Sequence, residues 1–147
     1  MSRFFKLREA EQLLPVLETL LTSAIRHKKK LESLDEELAG VGQRIMMRGG
    51  LLVDYGRVAG LRQEKDSSVN ELREALSQIE SRGCLIKDLE IGLIDFPCLV
   101  NDQEIYLCWK LGEPHIRFWH NTNEDFQGRK PLDPEGLTGQ DEDSRPN

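Results

Sequence analysis

The sequence predicts a mostly helical α+β protein: a long, coiled-coil-like antiparallel helical hairpin, then a small antiparallel β-meander and a disordered acidic tail. Three observations predict it. Apolar residues recur at helical spacing up to residue 82, alternate beyond residue 84, and nearly vanish after residue 132. The 147 residues, of which 38% are hydrophobic and 31% charged, have the size of one domain. The expected division is a hairpin over 1–83, a β-rich cap over 84–132 and a tail over 133–147.

The first predicted helix, about residues 7–48, is based on a heptad pattern. One apolar position recurs every seven residues and a second lies three residues after it, which is typical of packed helices. Pro15 lies too deep for the first turn and predicts a kink or a division. Arg48-Gly49-Gly50 is the expected turn. The two heptad positions are held by Ala10, Leu17, Ala24, Leu31, Leu38 and Ile45, and by Leu13, Leu20, His27, Leu34 and Val41.

The second predicted helix, about residues 51–82, carries a thinner apolar stripe and ends before Gly83, which suits a left-handed cap. Two helices of similar length joined by a glycine turn predict an antiparallel hairpin. A single hairpin would leave Leu14, Leu21, Val69 and Leu76 partly exposed to solvent, and a second hairpin would cover them. We therefore expect the chain to form a dimer or a four-helix-type assembly with itself.

The cap is expected to contain three short strands. GLIDFPCLV, EIYLCWKL and HIRFWH are separated by the turns Asn101-Asp102 and Leu111–Pro114. Pro97 places the first strand at an edge or a bulge. In the second strand, the apolar side chains share one face and the polar ones share the other. The apolar set is Ile105, Leu107, Trp109 and Leu111, and the polar set is Glu104, Tyr106, Cys108 and Lys110.

Composition excludes several classes of protein. No apolar run has the length of a membrane span, and the N-terminus lacks a secretory leader. The net charge is -6, and most of it lies in the tail, so the near-neutral body predicts no nucleic-acid partner. The tail is too polar to form a core and is expected to be disordered. Three cysteines without a CxxC pair indicate reduced thiols and a cytoplasmic protein.

The candidate binding residues all lie in the cap, where aromatic, cationic and anionic groups are close in sequence. Arg129 is expected either to form a structural bridge with Asp95 or Glu113, or to capture a ligand. Cys108 and His120 are the candidate metal ligands, although the spacing matches no zinc motif. No residue is assigned a catalytic role. The candidate site consists of Asp95, Cys108, Glu113, Trp119, His120 and Arg129.

Five segments of the chain resemble the DUF2203 domain family of uncharacterised bacterial proteins. Lys6 departs from the family pattern, in which a helix-capping residue such as threonine is expected, and Cys98 is a second departure. The resemblance implies the architecture and carries no known activity. The segments are FKLREAEQLLP at 5–15, GLIDFP at 92–97, LCWKLGEP at 107–114, FWH at 118–120 and FQGRKPL at 126–132.

The hypothesis from sequence is a non-enzymatic structural or interaction module that self-associates through its hairpin and has no cofactor. The alternative is a small metal- or anion-binding protein that uses Cys108 and His120 in the cap, with a divalent metal such as zinc as its cofactor. A buried thiol and a structural imidazole would explain the same residues without any ligand.

Overall fold

Two antiparallel helices form the first half of the protein, in a computed structural model that describes residues 3–47 and 55–132. Helix α1 spans Leu7–Met47 and α2 spans Tyr55–Ser81, so the hairpin agrees with the sequence prediction. Helix α1 continues through Pro15 without the division that we considered. The predicted glycine turn at 48–50 and the acidic tail at 133–147 lie outside the described residues.

Helix α1 begins with an incomplete cap. The backbone N–H of Lys6 donates to Glu9 Oε1 at 2.9 Å, which is one half of a capping box. The other half is missing, because a lysine side chain has no acceptor for the unpaired N–H groups of the first turn. Among residues 3–47 and 55–132, Lys6 Nζ is one of the few buried polar atoms without a hydrogen bond.

We expect Lys6→Thr to raise the free energy of unfolding by about 1 kcal/mol, because threonine supplies the missing side-chain acceptor. Urea unfolding followed by circular dichroism measures the change. Lys29→Thr, at an exposed interior position of the same helix, is the control and should be slightly destabilising. An unchanged or lowered midpoint for Lys6→Thr would show that the first turn is already satisfied.

Helix α2 ends as its sequence predicts. Gly83 follows it with φ of +94°, a left-handed conformation that glycine adopts without strain. Its backbone N–H donates to Glu80 O at 3.0 Å and closes the last turn. A Cβ at this position would lie 3.0 Å from Arg3 Cβ, so the N-terminal segment also needs a glycine here.

The β-rich cap, residues 84–132, is an antiparallel meander of five strands, whereas the sequence predicts three. The strands are β1 (Leu85–Asp88), β2 (Leu93–Val100), β3 (Gln103–Lys110), β4 (Phe118–Asn121) and β5 (Lys130–Pro131), in the order β1-β2-β3-β4-β5. Strands β1 and β5 are too short, at four and two residues, for an alternating pattern to reveal them. A 3-10 turn, Phe126–Gly128, precedes β5. The predicted third strand is shorter than expected, because the Ile116 N–H donates to Glu11 of α1.

The two faces of the sheet have different neighbours. The inner face packs against the first turns of α1 and the end of α2, and it contributes Ile94, Phe96, Ile105, Leu107 and Trp109 to the hydrophobic core. The helices contribute Ala10, Leu14, Leu17, Leu21 and Ile79. Leu14 and Leu21 are therefore buried within the chain, and no second hairpin is needed to cover them, contrary to the sequence analysis. The outer face points away from the helices and carries the other set of alternating side chains.

Pro97 lies where the sequence analysis places it, at an edge. Strand β1 pairs with β2 only as far as Asp95, so β2 has no strand neighbour on that side at Pro97. Instead, the Phe5 N–H donates to Pro97 O at 2.7 Å. Because the N and O of a strand residue point to the same side, the missing N–H of Pro97 also faces this open edge.

Candidate functional site

Three polar side chains from three neighbouring strands meet on the outer face of the sheet. Asp95 of β2 lies opposite Cys108 of β3, and His120 of β4 lies opposite Tyr106 of β3. One ligand atom from each of Asp95, Cys108 and His120 lies within 4.8 Å of the others. Their relative exposures are 1%, 0% and 2%, so the cluster is buried although it lies on the face without helices.

The hydrogen bonds of His120 fix its ring. Nδ1 lies 2.8 Å from the Asn121 carbonyl oxygen, which can only accept, so Nδ1 carries a proton. Nε2 lies 2.9 Å from Asp95 Oδ2. The second carboxylate oxygen, Asp95 Oδ1, accepts no hydrogen bond of ordinary geometry from the part of the chain that the structure describes. Nε2 therefore either donates a proton to Asp95 Oδ2 or, in the neutral ring, presents a lone pair to it.

Burial dominates the ionisation of the cluster. Burial raises the pKa of Asp95, and the neighbouring His120, Lys87 and Cys108 partly oppose this effect. Burial, together with the Asp95 charge, raises the pKa of the Cys108 thiol to about 12, while Arg129 acts in the opposite direction. A thiol with such a pKa is protonated at neutral pH, unlike the thiolates of reactive cysteines. These features argue against a nucleophilic role for Cys108.

Arg129 and Glu113 form a second layer over the cluster. The Arg129 guanidinium binds both carboxylate oxygens of Glu113, at 3.4 and 3.2 Å. The guanidinium carbon also lies 3.8 Å from the ring centroid of Phe118 and 4.3 Å from that of Phe126. Of the two partners considered for Arg129, the structure pairs it with Glu113. This bridge engages Nη1 and Nη2 of the guanidinium.

The structure separates Trp119 from the other candidate residues. Trp119 pairs with Leu107 and lies against the inner-face core. Its ring is 4.7 Å from Lys130 Nζ. Sequence reasoning missed Lys87, Tyr106, Phe118 and Phe126, which surround the cluster. Tyr106 and Phe118 could have been found, because each lies two residues before a cluster member in a strand and therefore shares its face.

A second surface feature lies at the far end of the hairpin. Leu38 and Val41 of α1 and Tyr55 and Val58 of α2 line a groove of about 650 Å³ between the helices. Next to it, Met46, Met47 and Tyr55 are 83%, 86% and 78% exposed. Neither described helix contains an apolar stretch that could span a membrane.

The fold and the cluster define a small α+β protein in which a helical hairpin carries a meander with a buried Asp–Cys–His group. A family model described as an uncharacterized conserved protein, DUF2203, matches residues 3–132. The chain therefore belongs to the DUF2203 family, as the sequence motifs indicated. No curated protein and no solved structure matches the chain.

Proposed function

We propose that this protein is a non-enzymatic interaction module whose helical hairpin pairs with the hairpin of a second copy. The observation that carries the proposal is the thin core of the hairpin beyond the sheet. Among the described side chains of residues 25–44, 46–47 and 55–74, those of Leu34, Leu61 and Ser68 are buried. The other described leucine, isoleucine and valine side chains of these ranges are half-buried, namely Ile25, Leu31, Leu38, Val41, Val58, Val69 and Leu72.

Half-buried aliphatic side chains along both helices favour a partner of the same shape. Complete burial of one such side chain contributes about 1.5–3 kcal/mol relative to full exposure, so partial gains at several positions can hold a dimer. A second hairpin provides two further helices and completes a four-helix arrangement around the groove. The groove is lined by the apolar side chains of Leu38, Val41, Tyr55 and Val58, with charged side chains of α2 beside them.

The distribution of charge along the two helices also favours pairing with a second copy of the chain. Between residues 32 and 37, α1 carries four acidic and no basic side chains, whereas α2 carries three basic and one acidic between residues 57 and 65. Within one chain these charges form the Arg57–Glu37 and Lys65–Asp35 bridges, at 3.6 and 2.7 Å. Two-fold packing that places α1 of one copy against α2 of the other repeats the same complementarity between chains.

The proposed setting of this module is a reducing compartment such as the cytoplasm. Cys84, Cys98 and Cys108 are all buried, and no disulfide joins any of these three described residues. This is the usual state of cysteines in cytosolic proteins.

Sedimentation velocity over a range of concentrations tests the proposal. We expect a dimer in the micromolar range for the intact protein, and at least a tenfold weaker dimer for Val58→Asp, since tenfold corresponds to about 1.4 kcal/mol. Ala59→Asp is the matched control, because it adds the same charge at the neighbouring, exposed position of α2. Circular dichroism confirms that both variants remain helical. A 16.9 kDa monomer at every concentration, or equal weakening by both variants, contradicts the proposal.

A further inference from the structure

We propose that Asp95, Cys108 and His120 form a binding site for a zinc-type divalent transition-metal ion that links strands β2, β3 and β4. This site lies on the outer face of the cap and is independent of the proposed pairing of the hairpins. The argument depends on the directions of the donor atoms, on their chemistry, and on the groups that surround them.

The ring of His120 is oriented as in metal-binding histidines. Its Nδ1–H donates to a backbone carbonyl, Asn121 O, at 2.8 Å. Metal-ligating histidines almost always donate their second ring N–H to a carbonyl, a carboxylate or water, which fixes the tautomer. In the neutral ring, Nε2 then presents a lone pair towards Asp95 Oδ2, 2.9 Å away. Two acceptors at this distance need a proton or a cation between them.

Asp95 provides a second, independent indication of a ligand. Its side chain is 1% exposed, and its Oδ1 accepts no hydrogen bond of ordinary geometry from the described residues, 3–47 and 55–132. A buried polar atom without a partner is costly and calls for an explanation. A cation shared by Oδ1, Oδ2, His120 Nε2 and Cys108 Sγ would satisfy both oxygens. With both carboxylate oxygens bound, the three residues would supply four donor atoms in a distorted site, because the two oxygens of one carboxylate lie too close together to occupy two corners of a regular tetrahedron.

The separation of the donor atoms is compatible with coordination. The three donor atoms lie within 4.8 Å of one another. In a tetrahedral zinc site with bonds of about 2.0–2.3 Å, ligand atoms lie about 3.3–3.8 Å apart, so closure needs small side-chain rotations. All three residues stand on paired strands of one sheet, which keeps their backbones fixed. One imidazole, one thiolate and one carboxylate select zinc-like ions over Mg²⁺ and Ca²⁺.

Charge balance supports a divalent ion. With Cys108 as thiolate, Asp95 as carboxylate and His120 neutral, the ligands carry two negative charges, which a divalent cation neutralises. The adjacent Arg129 charge is compensated separately by Glu113, at 3.2 Å. Because all three ligands are buried, the ion would be structural, linking three strands on the face of the sheet opposite α1 and α2.

Cobalt and zinc titrations of the intact protein test the site after treatment with a chelator. We expect one ion per chain, visible absorption bands of Co²⁺ in a distorted four-coordinate site, and a near-ultraviolet thiolate-to-cobalt band. One equivalent of Zn²⁺ should remove both sets of bands. Zinc should also raise the melting temperature. Absence of the thiolate band in the folded, unmodified protein overturns the proposal, and this result does not depend on the folding of any variant.

Matched substitutions locate the site. Cys108→Ser should abolish the thiolate band, and Asp95→Asn, which preserves shape, should weaken zinc binding at least about 100-fold. Cys98→Ala, in the neighbouring strand, and His115→Gln, at a histidine whose side chain is 69% exposed, are the controls and should bind within threefold of the unmodified protein. Retention of the band in Cys108→Ser, or its loss in Cys98→Ala alone, also overturns the assignment.

Discussion

Replacing Trp109 by alanine is expected to lower the free energy of unfolding by about 3–5 kcal/mol, because its large side chain is removed from a close-packed interior. Trp109 is 1% exposed and belongs to the core between the sheet and the helices. Its Nε1–H also donates to Glu113 O at 2.8 Å, so the substitution leaves a carbonyl without its partner and loosens the turn that holds Glu113.

Urea unfolding measured by circular dichroism checks this value. Trp119→Ala is the natural comparison, since Trp119 lies on the same inner face but is only half-buried, and we expect a smaller loss. A Trp109→Ala protein with an unchanged midpoint would show that the inner face is not the core that connects the sheet to the helices.

The second large effect is expected at the Asp95–His120 pair. His120→Leu removes the ring nitrogen that lies 2.9 Å from Asp95 Oδ2, and it leaves a buried carboxyl without that partner. Breaking a buried pair in this way costs about 3–5 kcal/mol. Replacing both residues by leucine also removes the carboxyl that His120→Leu leaves unpaired. The double variant should therefore lose less free energy of unfolding than the sum of the two single variants.

A double-mutant cycle with Asp95→Leu, measured in the presence of a chelator, isolates the pair. We expect a coupling free energy of about 2–3 kcal/mol. His115→Leu, at an exposed histidine, should change stability by no more than about 0.5 kcal/mol. Single losses that add to the double within about 0.5 kcal/mol would contradict a direct interaction between Asp95 and His120.

Much of this fold could be predicted from sequence because its elements are marked locally. The apolar patterns predicted both helices, and Gly83 predicted the end of α2. Asn101 and Asp102, with φ of 50° and 63°, form the expected turn between β2 and β3. Strands β1 and β5 were missed. The sequences of these two strands, which include Lys87 and Lys130, do not alternate between apolar and polar residues. Their pairing depends on neighbouring strands that are already in the sheet.

The candidate site was only partly predictable. Alternation along β3 places Cys108 on its polar face. In β4, His120 lies two residues from Phe118, so the two side chains share a face. The register of the strands then puts these residues on the same face of the sheet as Cys108. Burial of that face does not follow. It depends on Phe126 and Arg129, which fold back from the segment after β4 and stack with Phe118 over the cluster. Such a cover is a tertiary feature that no local pattern encodes.

The way in which Phe5 meets Pro97 bears on the resistance of the sheet to aggregation. An open strand edge is a template for pairing with a foreign strand. At Pro97 of β2 that template is interrupted, since Pro97 offers no N–H and its carbonyl is already bound by Phe5 at 2.7 Å. The outer strands are protected differently. Strand β1 has four residues and carries Lys87, and β5 consists of Lys130 and Pro131 alone, so neither presents a long edge to another chain.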